Sequence, residues 1–284
     1  MSNNALKSEL LCIADSKWVL GHWYIKVMMN ARTLNDATAF AAMSADELGH
    51  TRALFRYMEQ VFKLPEMQLE FGRPVDKIHN MEMLDAAPTS WGDFVLTAFL
   101  AEAAIWQLVK GFSNSSNQAI ATMVEQFGEE GYFHRLNIDG WLKGLTESEK
   151  AELIAALPHR LSLAVNWFGE ASQTDPLLQE GVRTTSVRDA RQEFVEIVTN
   201  TLEDSAGIES AVVNDCISNE NTASFDALRR RTAGTAMPAE LWEYVVPTNE
   251  AAQMTRRPLA VQVDDNIDLF ETVSEEEKRI ENER

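Results

Sequence analysis

Six side chains in this sequence have the types and spacing of metal ligands: Asp15, Glu47, His50, Glu102, Glu130 and His134. Glu47 and His50 stand three residues apart, so on a helix they share one face and can reach one ion. Glu130 and His134 stand four apart, which also keeps them on one face. The commoner Glu-x-x-His spacing would put the carboxylate at the position of Gly131, so a local π-bulge would be needed to bring the pair into line. Four carboxylates and two imidazoles are the donor set of a di-iron carboxylate bundle. Hard oxygen ligands with imidazole hold two iron or manganese ions and leave positions open for dioxygen. The carboxylates would balance the charge of the ions, and without metal their burial would be costly. A metal-free network of buried ion pairs is the alternative that the residues alone leave open.

Helical periodicity positions these groups. In the second helical run an apolar stripe reads Phe40, Met43, Glu47, His50, Leu54, Tyr57 and Val61, so an acid and an imidazole occupy core positions. The third run places Glu102 between Ala98 and Ile105, and the fourth places Glu130 and His134 between Phe127 and Ile138. The first run has Leu11, Trp18, Ile25 and Met29 on its stripe, with Asp15 and His22 on the same line; those two could instead bond each other or the backbone. Lys17 lies off that stripe and is expected at the solvent.

The elements follow from caps and breakers. The first helix spans about 5–30 and the second about 34–63, opened by Thr33 with Asp36 three residues on. Pro65, Gly72, Pro74 and Pro88 mark a long connection over about 64–89. Ser90 with Asp93 opens a third helix to about 113, and a fourth follows the Ser-Asn turn to about 143. Thr146 and Glu149 make a capping box for a fifth, bent at Pro158, to about 168. Ser186–Glu203 reads as a sixth helix and Pro238–Val246 as a short one, after which the chain reads as extended and ends in a charged stretch, Glu275–Arg284. The fold class is therefore all-α, a ferritin-like four-helix bundle over 1–205 with extra C-terminal helices and a charged tail over 206–284.

The 284 residues carry a net charge of −19, which argues against nucleic acid and anionic membranes as partners. No run of about 18 apolar residues suggests a membrane span, and the N-terminus lacks a signal-peptide pattern, so the cytoplasm is the default expectation. Cys12 and Cys216 make no disulfide framework, and Cys12 reads as a buried thiol. Trp18, Trp106 and Trp141 read as packing residues, His79 and His159 as structural or exposed. The runs Arg229–Arg231 and Arg256–Arg257 read as a solvated face.

Several segments together resemble the phenylacetic acid catabolic proteins, the ring-epoxidising phenylacetyl-CoA oxygenase family. "ADSKWVLGH" (14–22) looks like the first-helix motif of the family's non-catalytic subunit, whereas "ADELGHTRALF" (45–55) is similar to the second helix of the catalytic one. "SWGDFVLTAFLAEAAI" (90–105) resembles the third helix, "EEGYFHR" (129–135) with "GWL" (140–142) the fourth, and "NWFGE" (166–170) a later segment. The resemblance implies a ferritin-like di-iron oxygenase component acting on an aromatic or acyl-CoA substrate. It implies a paralogous subunit and a reductase as partners within an oligomer. Carried over, Glu47, His50, Glu102 and His134 fall on ligand positions, Gly131 falls where a ligand Glu is expected, and the first helix lacks an obvious Glu. The chain thus stands between the catalytic and the structural subunit, with a di-iron site, a single ion or no metal all open.

Overall fold

The computed structural model of the chain describes residues 2–169, 175–217 and 224–246. The expected extended and charged segments after Pro247, the Arg256–Arg257 pair and Glu170 lie outside the described residues. Ten helices are described: α1 (Ser2–Met28), α2 (Leu34–Phe62), α3 (Glu66–Phe71), α4 (Trp91–Lys110), α5 (Gln118–Lys143), α6 (Glu147–Asn166), α7 (Pro176–Gln179), α8 (Val187–Ala206), α9 (Ser210–Ile217) and α10 (Ala239–Val245). A two-stranded antiparallel ribbon, β1 (Phe225–Asp226) with β2 (Arg231–Thr232), joins them. One compact unit covers Met1–Leu241, and a second begins at Trp242.

The capping residues act as the sequence suggests. Thr33 accepts from the Asp36 N–H at 3.1 Å, Ser90 from Asp93 at 3.2 Å and Asn117 from Ile120 at 3.4 Å. Thr146 and Glu149 form a reciprocal capping box at the start of α6, which continues through Pro158. Each cap satisfies donors that the first helical turn leaves without partners.

Helices α1, α2, α4 and α5 form the bundle, with α1 lying along α2 and α4 packed on α1, α5, α6 and α8. Helix α4 is long and apolar enough to cross a membrane by length and composition, contrary to the reading that no such run exists. In the fold it is the central helix, 89% buried, and its apolar faces are covered by its neighbours. A helix buried all round needs no amphipathic stripe. Helix α1 behaves the same way: every residue from Glu9 to Tyr24 is buried.

That burial corrects three expectations about α1. Lys17, expected at the solvent, is 5% exposed, because the helix has no solvent side at that level. Ile25 and Met29, expected inside, are 39% and 81% exposed. Leu11, Trp18 and Ile25 are spaced by seven, and a straight α-helix drifts about 20° per heptad, which carries the end of the stripe out of the core. Val61, at the end of the α2 stripe, is likewise 47% exposed.

The connection between α2 and α4 holds α3 and two short 3-10 turns, and buried ion pairs fasten it. Arg73 grips Asp15, and Arg160 binds Asp93 at 2.8 and 3.0 Å while donating to the carbonyls of Met83 and Ala86. The arginine run does not form a solvated face. Arg231, 1% exposed, pairs with Asp85, and Arg230 pairs with Glu9 at 2.6 Å. A buried guanidinium with carboxylate partners is a structural tie, since leaving either charge alone would be costly.

Candidate metal centre

Four of the six expected ligands meet in the bundle core. Glu47 and His50 come from α2, Glu102 from α4 and His134 from α5, and all four are at most 9% exposed. Donor atoms of Glu47, Glu102 and His134 lie within 4.8 Å of one another, a spacing at which three side chains can coordinate a metal ion. Glu130 reaches the group from its edge. One carboxylate oxygen pairs closely with His50 Nε2 and the other accepts from Gln126 at 3.0 Å, with about a third of the side chain exposed. Gln126 and His50 hold its carboxyl below the usual range against the opposing pull of burial.

Asp15 is not brought to the cluster. Its two oxygens accept from Arg73 at 2.6 and 2.8 Å, and one also accepts from the His79 backbone N–H at 2.7 Å. The carboxylate that shares a helical line with the core groups thus ties the α2–α4 connection to α1. His22, on the same line, makes a 2.7 Å contact from Nδ1 to the Trp18 carbonyl.

Lys17 takes the place that α1 was expected to fill with a carboxylate. Its Nζ lies 2.7 Å from Glu47 Oε1 and 3.1 Å from His50 Nδ1. An ammonium has three donors and no acceptor, so His50 Nδ1 must accept, leaving the ring proton on Nε2 for Glu130. The residue escaped the sequence reading because stripe geometry assumed a solvent face on α1. The signal that could have found it is the like-charge excess: several core carboxylates need a compensating cation, and Lys17 is the only Lys or Arg within one turn of Asp15 and Trp18.

The charges divide into two chains of contacts. Burial would raise the Glu47 pKa, but the Lys17 ammonium overrides it, and the carboxyl falls to about 2. Burial would lower His134, but Glu102, 2.8 Å from its Nδ1, and then Glu47 push it up to about 9. Its Nε2 contacts Asp46 at 3.2 Å, so both ring nitrogens face carboxylates, as an imidazolium requires. Tyr24, whose ionisation burial and then Glu102 both oppose, stays a phenol and donates to Glu102 at 2.9 Å.

A titration follows from this geometry. A histidine whose folded pKa is raised above the unfolded value near 6.5 contributes stability in full below about pH 6.5 and loses it as pH rises through about 9. The His134 ring resonance in a nuclear magnetic resonance titration is expected to shift with a midpoint near 9. A midpoint at the ordinary histidine value would contradict the Glu102–His134–Asp46 arrangement.

The profile of the phenylacetic acid catabolic protein family matches residues 1–242, most of the chain. The chain belongs to that family. No curated protein matches it closely enough to serve as a relative. The family match and the bundle geometry agree on a ferritin-like core with a candidate metal cluster of two glutamates and a histidine. That cluster falls short of the four carboxylates and two imidazoles of a dinuclear centre. The dinuclear set does not fit the residues present. Lys17 donates to Glu47 Oε1 and His50 Nδ1, α5 has Gly131 where the Glu-x-x-His spacing would put a carboxylate, and both Asp15 oxygens are bound to Arg73.

Proposed function

We propose that the chain is a non-catalytic subunit of an oxygenase of this family, in which an internal ion-pair network takes the place of a di-iron centre. The observation that carries this reading is the Lys17 ammonium seated between Glu47 Oε1 and His50 Nδ1. A cation there supplies the positive charge that the carboxylates need, so the bundle stays stable without metal. The space above the cluster agrees. The cavity lined by Lys17, Glu47, His50, Trp106, Phe127 and Arg135 holds about 10 Å³, room for one water. An aromatic or acyl-CoA substrate needs a pocket on the order of 300 Å³ or more. The role left to the chain is to hold a paralogous, metal-bearing subunit in its working geometry.

Metal analysis tests the reading. Purified protein offered ferrous iron without oxygen is expected to retain well under one iron per chain. Lys17→Glu with Gly131→Glu supplies the two missing carboxylates. A Cβ at Gly131 meets only the flexible tip of Arg135, at 3.3 Å, so the site admits the larger side chain. This double variant is expected to take up about two irons per chain. Two irons in the unaltered protein, lost in Glu47→Ala/His50→Ala, would restore the di-iron oxygenase reading instead. One observation favours a second reading, a single divalent ion on Glu47, Glu102 and His134: Glu47 Oε2 is buried with no hydrogen-bond partner. One ion per chain, lost in Glu102→Gln, would select that reading.

A further inference from the structure

Helices α2 and α5 run antiparallel, as the contacts Asp36–Trp141, His50–Glu130 and Tyr57–Asn117 require, and they share an outer face. On α5 that face carries three large apolar side chains in the open: Tyr132, Phe133 and Leu136 are 53%, 63% and 51% exposed. Three adjacent exposed residues of this size are a contiguous apolar patch, which in a folded protein marks a contact surface more often than scattered single residues do. On α2 the same face has no bulk. Ala41, Ala45 and Gly49 are exposed one turn apart, and a Cβ at Gly49 would meet nothing within 4 Å. A glycine in an exposed helix interior costs about 1 kcal/mol relative to alanine, and among the described residues no close contact at Gly49 requires it.

We propose that this face is a self-complementary interface between two copies of the chain, in which the apolar α5 knobs of each copy seat on the α2 shelf of the other. A two-fold axis parallel to the helices and between them places each α2 on the other copy's α5 at an unchanged level. The register that sets His50 beside Glu130 and Asp46 beside His134 then sets Ala45 at Leu136 and Gly49 at Tyr132. The next turns set Arg52 at Glu129 and Arg56 at Glu125, all four exposed. A large side chain therefore meets a small one and a cation meets an anion along the whole strip, twice over by symmetry. That reciprocity is what an isologous contact demands. Both arginines lean on Glu66 within one chain, at 3.0 and 3.5 Å, with side chains 58% exposed, so each is free to swing to a second carboxylate. Asp46 and Glu130, the partly exposed carboxylates within the strip, are already bonded to His134 and His50, so covering them strands no charge.

The proposal is independent of the metal content of the core. Sedimentation equilibrium of the full chain across a range of concentrations tests it. The protein is expected to be dimeric at micromolar concentration, and Leu136→Asp, a change at an exposed position, is expected to leave a monomer with an unaltered circular dichroism spectrum. Arg52→Glu/Arg56→Glu is expected to weaken association by about tenfold or more, and adding Glu125→Arg/Glu129→Arg is expected to restore it. A monomeric wild type overturns the proposal, as does a dimer indifferent to both variants. A chain that dimerises only after removal of residues 247–284 would assign the face to that segment, and one that associates only with a paralogous subunit would assign it there. Either result overturns the self-pairing.

Discussion

Replacing Lys17 by methionine is expected to destabilise the protein by about 3–5 kcal/mol at neutral pH, the cost of leaving one partner of a buried ion pair without the other. Methionine keeps the chain length and removes the charge, so the loss reads the electrostatics and not a cavity. With the ammonium gone, burial is the strongest influence left on Glu47 and raises its pKa, which shapes the pH dependence. In the unaltered protein Glu47 titrates near 2 when folded and near 4.5 when unfolded, so its stabilising contribution is present above about pH 4.5 and is lost as pH falls towards 2. In Lys17→Met the carboxyl of the folded state is protonated at higher pH, which relieves the buried charge. The penalty therefore grows as pH rises from about 4.5 through that raised value and narrows on acidification. Urea midpoints at several pH values measure it. The double variant Lys17→Met/Glu47→Met, which removes both charges, is expected to recover most of the loss, because a buried pair often contributes little net stability relative to apolar residues of similar volume. A single variant as stable as wild type at neutral pH would show that Lys17 does not balance the buried carboxylates, and would overturn the proposed absence of iron.

Gly92→Ala is expected to be the most damaging change of its size. Helix propensity alone favours the alanine by about 1 kcal/mol, so an effect of the opposite sign isolates packing. A Cβ at this position would lie 2.1 Å from the Glu149 carbonyl oxygen, 2.8 Å from the Leu153 nitrogen and 2.9 Å from the Glu152 Cβ. Two of those neighbours are backbone atoms of α6 and cannot rotate away. The start of α4 must then separate from α6, and the neighbouring Asp93–Arg160 ion pair sits on that seam. The expected cost is about 3 kcal/mol or more, the upper part of the range for overpacked cores. In a domain of this size it corresponds to a fall in melting temperature of about 6–12 °C. Calorimetry of the variant checks it, and a melting temperature equal to or above that of wild type would show that α6 yields at this contact.

Much of the bundle was legible because short-range chemistry specifies it. The caps at Thr33, Ser90, Thr146 and Ser186 act on residues three positions away, so the sequence itself contains both partners. The α2 stripe was readable for the same reason. One side of α2 faces water, so polar Glu47 and His50 among apolar neighbours at steps of three and four signal inward groups. Helix α9, which packs on α6 and α8, and the ties of Arg160, Arg230 and Arg231 were not legible, since each depends on partners distant in the sequence.

The candidate centre divides along the same physical line. The sequence by itself determined that Glu47, His50 and His134 face one core, because each lies on the inward stripe of a helix with a solvent side, whereas Glu102 sits on α4, which is buried all round. Only the tertiary structure decided what stands among them. On α1, buried on every side from Glu9 to Tyr24, periodicity carries no information about direction. Asp15 and Lys17 were therefore exchanged in the reading. The carboxylate faces Arg73 on the α2–α4 connection, and the lysine faces Glu47 and His50. Which α1 side chain stands beside Glu47 and His50 was decided by the neighbours of α1, through packing that no spacing within one helix encodes.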